Sequence, residues 1–178
     1  QDQAGGTATV NQSGDTNTSS VEQTSAAASA EVDQSGSGNS STLSQGRPVG
    51  TTPQSGDQQA LIVQTGDNNI SEADQRGTNG DLDLLQSGSG NYSSVKQPGG
   101  DNSAGDAETT GDVGITQGGD NNNSYVLQSA NYGVVQVDQI ASNSYSEINQ
   151  TGRANNAEAY VDQAGDNQRS CRLARHER

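Results

Sequence analysis

Along this chain, aliphatic and polar residues alternate in short bursts of period two, and the bursts recur every eleven residues. Glutamine sets the frame. It stands at Gln12, Gln23, Gln34 and Gln45, shifts at Gln54, runs through Gln64, Gln75, Gln86 and Gln97, and returns at Gln117, Gln128, Gln139 and Gln150. Glu108 fills the step after Gln97, and Gln163 closes the series. Two residues before these anchors lie Val10, Val21, Val32, Leu43, Ile62, Leu84, Val95, Ile115, Val126, Val137 and Ile148, with Thr52, Ala73, Asp106 and Val161 in the remaining units. Four residues before the anchor the side chain is usually small, as at Ala8, Ser19, Ala30 and Ser41; Leu82, Val113 and Val135 are larger. Six residues before it stand Asn17, Asn39, Asn69, Asn91 and Asn122, or Gly6, Gly80, Gly111 and Gly133.

These constrained positions share one face of a β-strand, because strand side chains alternate between faces. The residues between them, such as Tyr92, Ser94 and Lys96, or Glu72 and Asp74, are polar or variable and are expected to face solvent. A helix does not fit, since Gly, Asn and Ser recur where its buried stripe would lie. Glycine follows the anchor by two residues at Gly14, Gly36, Gly66, Gly77, Gly88, Gly119 and Gly152. Gly, Asn and Asp tolerate positive φ, so Ser35-Gly36-Ser37-Gly38 and Thr65-Gly66-Asp67-Asn68 read as tight turns.

The predicted fold is all-β: a β-solenoid of two-strand, 22-residue coils with two facing parallel sheets. About seven coils stacked ~4.8 Å apart would make a rod roughly 35 Å long. The period slips near residues 46–60 and 100–111, which are read as irregular coils within one solenoid. Residues 1–5 form a leader, 6–167 the tandem repeats, and 168–178 a basic tail with Arg169, Arg172, Arg175 and Arg178.

A buried amide is costly unless its hydrogen-bonding groups are met. Stacked one coil above another, each Gln or Asn can donate to one neighbour and accept from the other, as in cross-β ladders. The aliphatic column supplies the dry core. A solenoid's ends are unpaired edges, and an end that matches its opposite end makes a contact that does not close. Head-to-tail stacking into an amyloid-like filament is the expected consequence.

Composition sharpens this picture. The 178 residues include no Trp, Phe or Met, and 26% are hydrophobic, against ~45–50% in ordinary globular domains. A conventional core is excluded. The net charge of −14 argues against a nucleic-acid partner, and no apolar run is long enough for a membrane span. One cysteine, Cys171, excludes an internal disulfide. Gln1 is not a natural start, which is compatible with a removed leader.

Asn91-Tyr92-Ser93-Ser94-Val95-Lys96-Gln97 and Asn122-Asn123-Ser124-Tyr125-Val126-Leu127-Gln128 resemble the repeat of the curlin family, and Ser35-Gly36-Ser37-Gly38-Asn39 resembles its turn. The resemblance covers about residues 6–167. It implies a structural subunit of extracellular bacterial curli fibres in biofilm matrix and adhesion. It further implies export through periplasm and outer membrane by dedicated machinery, and a nucleating curlin as partner. The chain's own role is then the major subunit or, given the basic tail, the minor nucleating one.

No enzyme, cofactor or metal site is expected. The Asn-x-Ser/Thr matches are by-products of the repeat. Asp81 and Asp83 belong on a solvated strand face. Asp67, Asp120 and Asp166 lie in turns without the calcium-repeat pattern, and His176 has no catalytic cluster around it. A monomeric β-solenoid binding module is the rival of another class, but it would present one residue type in a flat outward array, whereas the outward positions here are mixed.

Overall fold

A computed structural model describes residues 5–25, 27–46, 57–76, 80–98, 103–104, 114–129, 133–150 and 157–174. Among these residues the regular structure is strand alone. The strands are β1 (Thr7–Gln12), β2 (Thr18–Gln23), β3 (Ser29–Ser35), β4 (Ser40–Gln45), β5 (Gln59–Thr65), β6 (Ile70–Gln75), β7 (Asp81–Ser87) and β8 (Tyr92–Gln97). They continue with β9 (Ser103–Ala104), β10 (Gly114–Gln117), β11 (Asn123–Gln128), β12 (Val134–Gln139), β13 (Tyr145–Gln150), β14 (Glu158–Gln163) and β15 (Arg169–Ala174).

Two parallel sheets result. The first runs β1-β3-β5-β7-β10-β12-β14, with β9 beside β7 and β12; the second runs β2-β4-β6-β8-β11-β13-β15 in space. Successive strands therefore alternate between sheets, and each strand pairs with the equivalent one a coil away. This is a β-solenoid of two stacked, open sheets. Every described pairing keeps the anchors level, as in Gln12↔Gln34↔Gln64↔Gln86.

The alternating pattern becomes alternating burial. In β7, Leu82, Leu84 and Gln86 are buried while Leu85 and Ser87 are exposed. The core is a file of Val32, Leu43, Ile62, Leu84, Val95, Ile115, Val126, Val137 and Ile148 with smaller neighbours. Leu82 and Val135, large where small residues prevail, are fully buried. Leu82 stands between Ala60 and Ala104, and Val135 beside Ala159, so large and small residues alternate down the column.

Two features depart from the eleven-residue reading. Gln54 and Glu108 lie outside the described residues. β3 pairs directly with β5, so Gln34 meets Gln64, thirty residues on. β8 likewise pairs with β11. The layer next to β7 is a composite: Ala104 of β9 is level with Leu82, then Ile115 and Gln117 of β10 are level with Leu84 and Gln86. Ala104 thus belongs to the layer anchored by Gln117. The second correction concerns the basic tail. Arg169–Ala174 form β15, in register with β13, so a strand of the stack lies within the segment read as a tail.

Two kinds of edge join the sheets. Arcs that follow the first-sheet strands β1, β3, β5, β7, β10, β12 and β14 have four or five residues. The crossovers on the other edge vary from five to thirteen, and the one after β8 is interrupted by β9.

Candidate functional site: internal amide ladders and the ends of the stack

The first sheet carries an unbroken file of glutamine amides. Gln12 Nε2 donates to Gln34 Oε1 at 2.6 Å, and the rungs continue through Gln64, Gln86, Gln117 and Gln139 to Gln163, none longer than 2.9 Å. The second sheet has a matching file: Gln23, Gln45, Gln75, Gln97, Gln128 and Gln150. Its rungs lengthen from 2.9 Å at Gln23–Gln45 to 3.4 Å at Gln128–Gln150.

The second hydrogen of most of these amides crosses to the opposite sheet. Gln34 Nε2 donates to Thr18 O, Gln45 to Ser29 O, Gln86 to Ile70 O and Gln139 to Asn123 O. Each target is the first residue of a strand, and the glutamine adds a donor from the opposite sheet to its carbonyl. Glutamine has the reach for this bond in addition to the rung; asparagine is one methylene shorter. The first file closes the arc edge and the second closes the crossover edge.

Asparagine does a different task. Asn17, Asn39, Asn69 and Asn91 each accept, through Oδ1, the backbone N–H of the next Asn in the stack, ending at Asn122. Asn122 Oδ1 then accepts Ser144 N–H. The Nδ2 of Asn39 donates back to Ser35 O and on to Gly66 O. Each Asn therefore ties its own arc to the arc above. Gly14, Gly36, Gly66 and Gly88 sit here with positive φ, and a Cβ on any of them would run into the carbonyl of the glycine one coil on. Gly119 stacks in the same file without positive φ, while Asn121 takes the left-handed conformation that Gly38, Asn68 and Gly90 take in their arcs. Gly77 and Gly152 lie outside the described residues.

Several contributing roles are absent from the sequence reading. Asp67, Asp120 and Asp166 accept the backbone N–H of Ser37, Ser89 and Ser142 from the neighbouring arc. The recurrent Gly-Asp-Asn of the turns was the available signal. Gln58 is buried six residues before Gln64, where Asn or Gly was expected, and donates to Gln75 O. The hydroxyls of Ser41, Ser71 and Ser93 are buried without a hydrogen-bond partner, whereas Ser146 donates to Ser124. Outside, the rings of Tyr92, Tyr125 and Tyr145 pack 5.4 and 5.7 Å apart, and the Arg169 guanidinium lies 4.7 Å from the Tyr145 ring centre. Burial and a hydrogen bond to Glu72 raise the Tyr92 phenol's pKa; the Glu147 carboxylate, then burial, does the same to Tyr145.

The two ends of the stack differ. At one, among the described residues, β1 and β2 each pair on one side only, and the inward columns meet solvent: Val10 is 44% exposed although Val32 directly above it is 0% exposed. Gln12 is exposed, and Asn17 and Val21 are half-buried, for the same reason. At the other end, β15 puts Arg172 in the column of Val126 and Ile148, and Ala174 in the column of Gln128 and Gln150. Arg172 is exposed and its Nη1 donates to Tyr160 O.

One coil of this stack matches a known family model. Residues 77–105, which contain β7, its arc and β8, match the curlin associated repeat. The chain carries a curlin repeat. The match covers residues 77–105, and the same amide ladders run from that coil into its neighbours. Comparisons with curated proteins and with solved structures gave no match.

Proposed function

We propose that this curlin-repeat chain is a structural subunit of an extracellular curli-type amyloid fibre, built by end-on stacking. The curlin family is one of structural amyloid subunits, not of enzymes, and implies self-assembly. The observation that supports the reading most is the exposed β1–β2 end, where the core column and first ladder stop at open strand edges. A parallel edge with exposed Val and Gln in register accepts another layer at no cost in new side-chain chemistry. The biofilm matrix, adhesion and export through the outer membrane follow from the curlin family resemblance and belong to the same proposal. Purified monomer should form fibres with an axial repeat of about 4.8 Å, after a lag that preformed fibres abolish. Monomer that persists at high concentration with seeds present would sink this reading in favour of a solitary binding module.

One observation favours the minor, nucleating role over the major one. β15 carries Arg169 and Arg172 at the end of an otherwise acidic chain. A basic end can rest on an anionic cell surface while the β1–β2 end faces outward as a template.

A further inference from the structure

Resting on the fibre reading above, we propose that the outward face of the second sheet docks a second copy of this chain side by side. End-on stacking builds each filament. This face joins two filaments that run in opposite directions, with Tyr125 at the centre of the joint.

The two outward faces differ in charge and in what they expose. The strands of the first sheet contain no Lys or Arg, and their outward positions include Glu31, Asp33, Asp81, Asp83 and Asp138. The apolar group on that face is set among these acids: Leu61 is level with Glu31 and Asp83, and Val63 with Asp33. Two such faces repel each other. The outward face of the second sheet mixes both signs. Lys96 and Arg169 stand among its acids, and Arg76 pairs with Asp74 at 2.7 Å. Ile70, Tyr92, Tyr125 and Tyr145 run along it, with Ile70 41% and Tyr125 38% exposed. The Tyr92 and Tyr145 hydroxyls donate to Glu72 and Glu147, and the rings pack on one another. Rings already held in the free molecule lose little side-chain entropy on docking. Tyr and Arg are among the residues that protein interfaces enrich.

Register selects the direction. Glu72, Ser94, Tyr125, Glu147 and Cys171 share the middle outward column of the second sheet. Facing copies related by a two-fold axis along the stack would therefore set Glu72 against Glu72 and Glu147 against Glu147. A two-fold axis along β11 removes both clashes. It sets Tyr125 and Leu127 against their own copies and reverses the order of layers, so β8 faces β13 and β6 faces β15. Tyr92 then meets Tyr145 of the second copy, Lys96 lies beside its Glu147, and Glu72 lies beside its Arg169. Axes along β8 or β13 oppose Lys96 to Lys96 or Glu147 to Glu147. An axis midway between β8 and β11 opposes Glu72 to Glu147, and one midway between β11 and β13 turns Tyr125 onto Glu147. The face is seven strands wide and six residues long, roughly 650 Å² at ~4.8 Å per strand and ~3.3 Å per residue. A stable single interface takes ~800 Å² per partner. Lone molecules therefore stay apart, whereas filaments repeat the contact at every subunit and gain by multivalency.

The test compares fibres of the full chain and its variants by electron microscopy, with mass per length as the readout. Wild type should show two filaments per fibre. Tyr125→Glu sets a carboxylate against its own copy at the centre of the joint. It should halve the mass per length and leave the seeded elongation rate unchanged. Tyr160→Glu, at an exposed position on the first sheet, should keep the pairs. Lys96→Glu puts like charge beside Glu147 of the second copy and should raise the share of single filaments at least ~10-fold. Adding Glu147→Lys to it should restore the pairs. Within one molecule Lys96 and Glu147 stand two layers apart, so this rescue reads a contact between copies. Wild-type filaments that stay single, or pairs that survive both Tyr125→Glu and Lys96→Glu, overturn the lateral face and leave the fibre reading standing. Pairs lost in Lys96→Glu and not regained with Glu147→Lys overturn the antiparallel register. Failure of every chain, wild type included, to form fibres overturns the fibre reading and the lateral face together. Should Tyr125→Glu lack a β-sheet circular dichroism spectrum, Lys96→Glu and its rescue, both at exposed positions, decide the question.

Discussion

The two edges of the solenoid solve one problem with unequal means. Each must turn a chain from one sheet to the other and present the same shape to the coils above and below. The arc edge does so with stacked glycines, the asparagine ladder, the Asp-to-backbone bonds and the first glutamine file, whose rungs stay within 2.6–2.9 Å. The crossover edge has the second glutamine file, with rungs reaching 3.4 Å, and no asparagine ladder is described along it. Chain length follows the same division. Arcs keep four or five residues, whereas crossovers absorb the long connection from β4 to β5 and the broken layer of β9 and β10. An edge whose backbone groups bond from coil to coil cannot admit an extra residue without orphaning several of them at once. On the crossover edge the described coil-to-coil backbone bonds lie next to the strand ends, as at Thr24, Gly46 and Arg76, which leaves the middle of the connecting loop free to vary in length.

The sharpest way to break this contrast is by insertion. Four residues placed within the Gly66–Asn69 arc should abolish cooperative folding, seen as loss of the denaturation transition. The same four residues placed between 47 and 56 should shift stability by less than about 0.6 kcal/mol, because loop closure costs grow only logarithmically with length. Comparable losses at both sites would show that the edges are equivalent.

A smaller effect is expected at Gly66→Ala. It combines positive φ with a Cβ driven against the Gly88 carbonyl, so a loss of about 3 kcal/mol or more is expected in urea titration. Next comes Gln86→Ala. It strands one N–H of Gln64 Nε2 and the Oε1 of Gln117, and removes the cross-sheet donor to the Ile70 carbonyl, for about 2–3 kcal/mol. Its outward counterpart Glu72→Ala removes an acceptor of the Tyr92 hydroxyl and should cost under about 0.5 kcal/mol. If the two substitutions slow seeded fibre growth equally, the inward file has no special part in assembly. A loss below that at Gln86 and above that at Glu72, about 0.5–1.5 kcal/mol, belongs to Asp67→Ala, which frees the exposed Ser37 N–H; amide exchange at Ser37 should rise while the rest of the arc stays protected.

Much of this molecule is written in its local pattern. Alternation of Val10, Gln12 and their equivalents selects strand over helix, and the recurrence of Gln and Asn at one spacing marks which side chains can share a column. The turn residues mark where strands end, because positive φ is cheap for Gly36 and Gly66 wherever they occur. What spacing could not decide is which layers are neighbours. Any in-register strand offers the same hydrogen bonds to Gln34, so an anchor such as Gln54 and an anchor such as Gln64 look equally good one at a time. Only the assembled stack, in which both sheets must advance together, selects Gln64 and joins β9 to β10 in a single layer. The difference between the ends is also tertiary. Arg172 is one charged residue in a basic segment until the register with Ile148 puts it in line with the core. A column is a property of neighbours along the stacking axis, and those neighbours are chosen by the fold, not by adjacency in the chain.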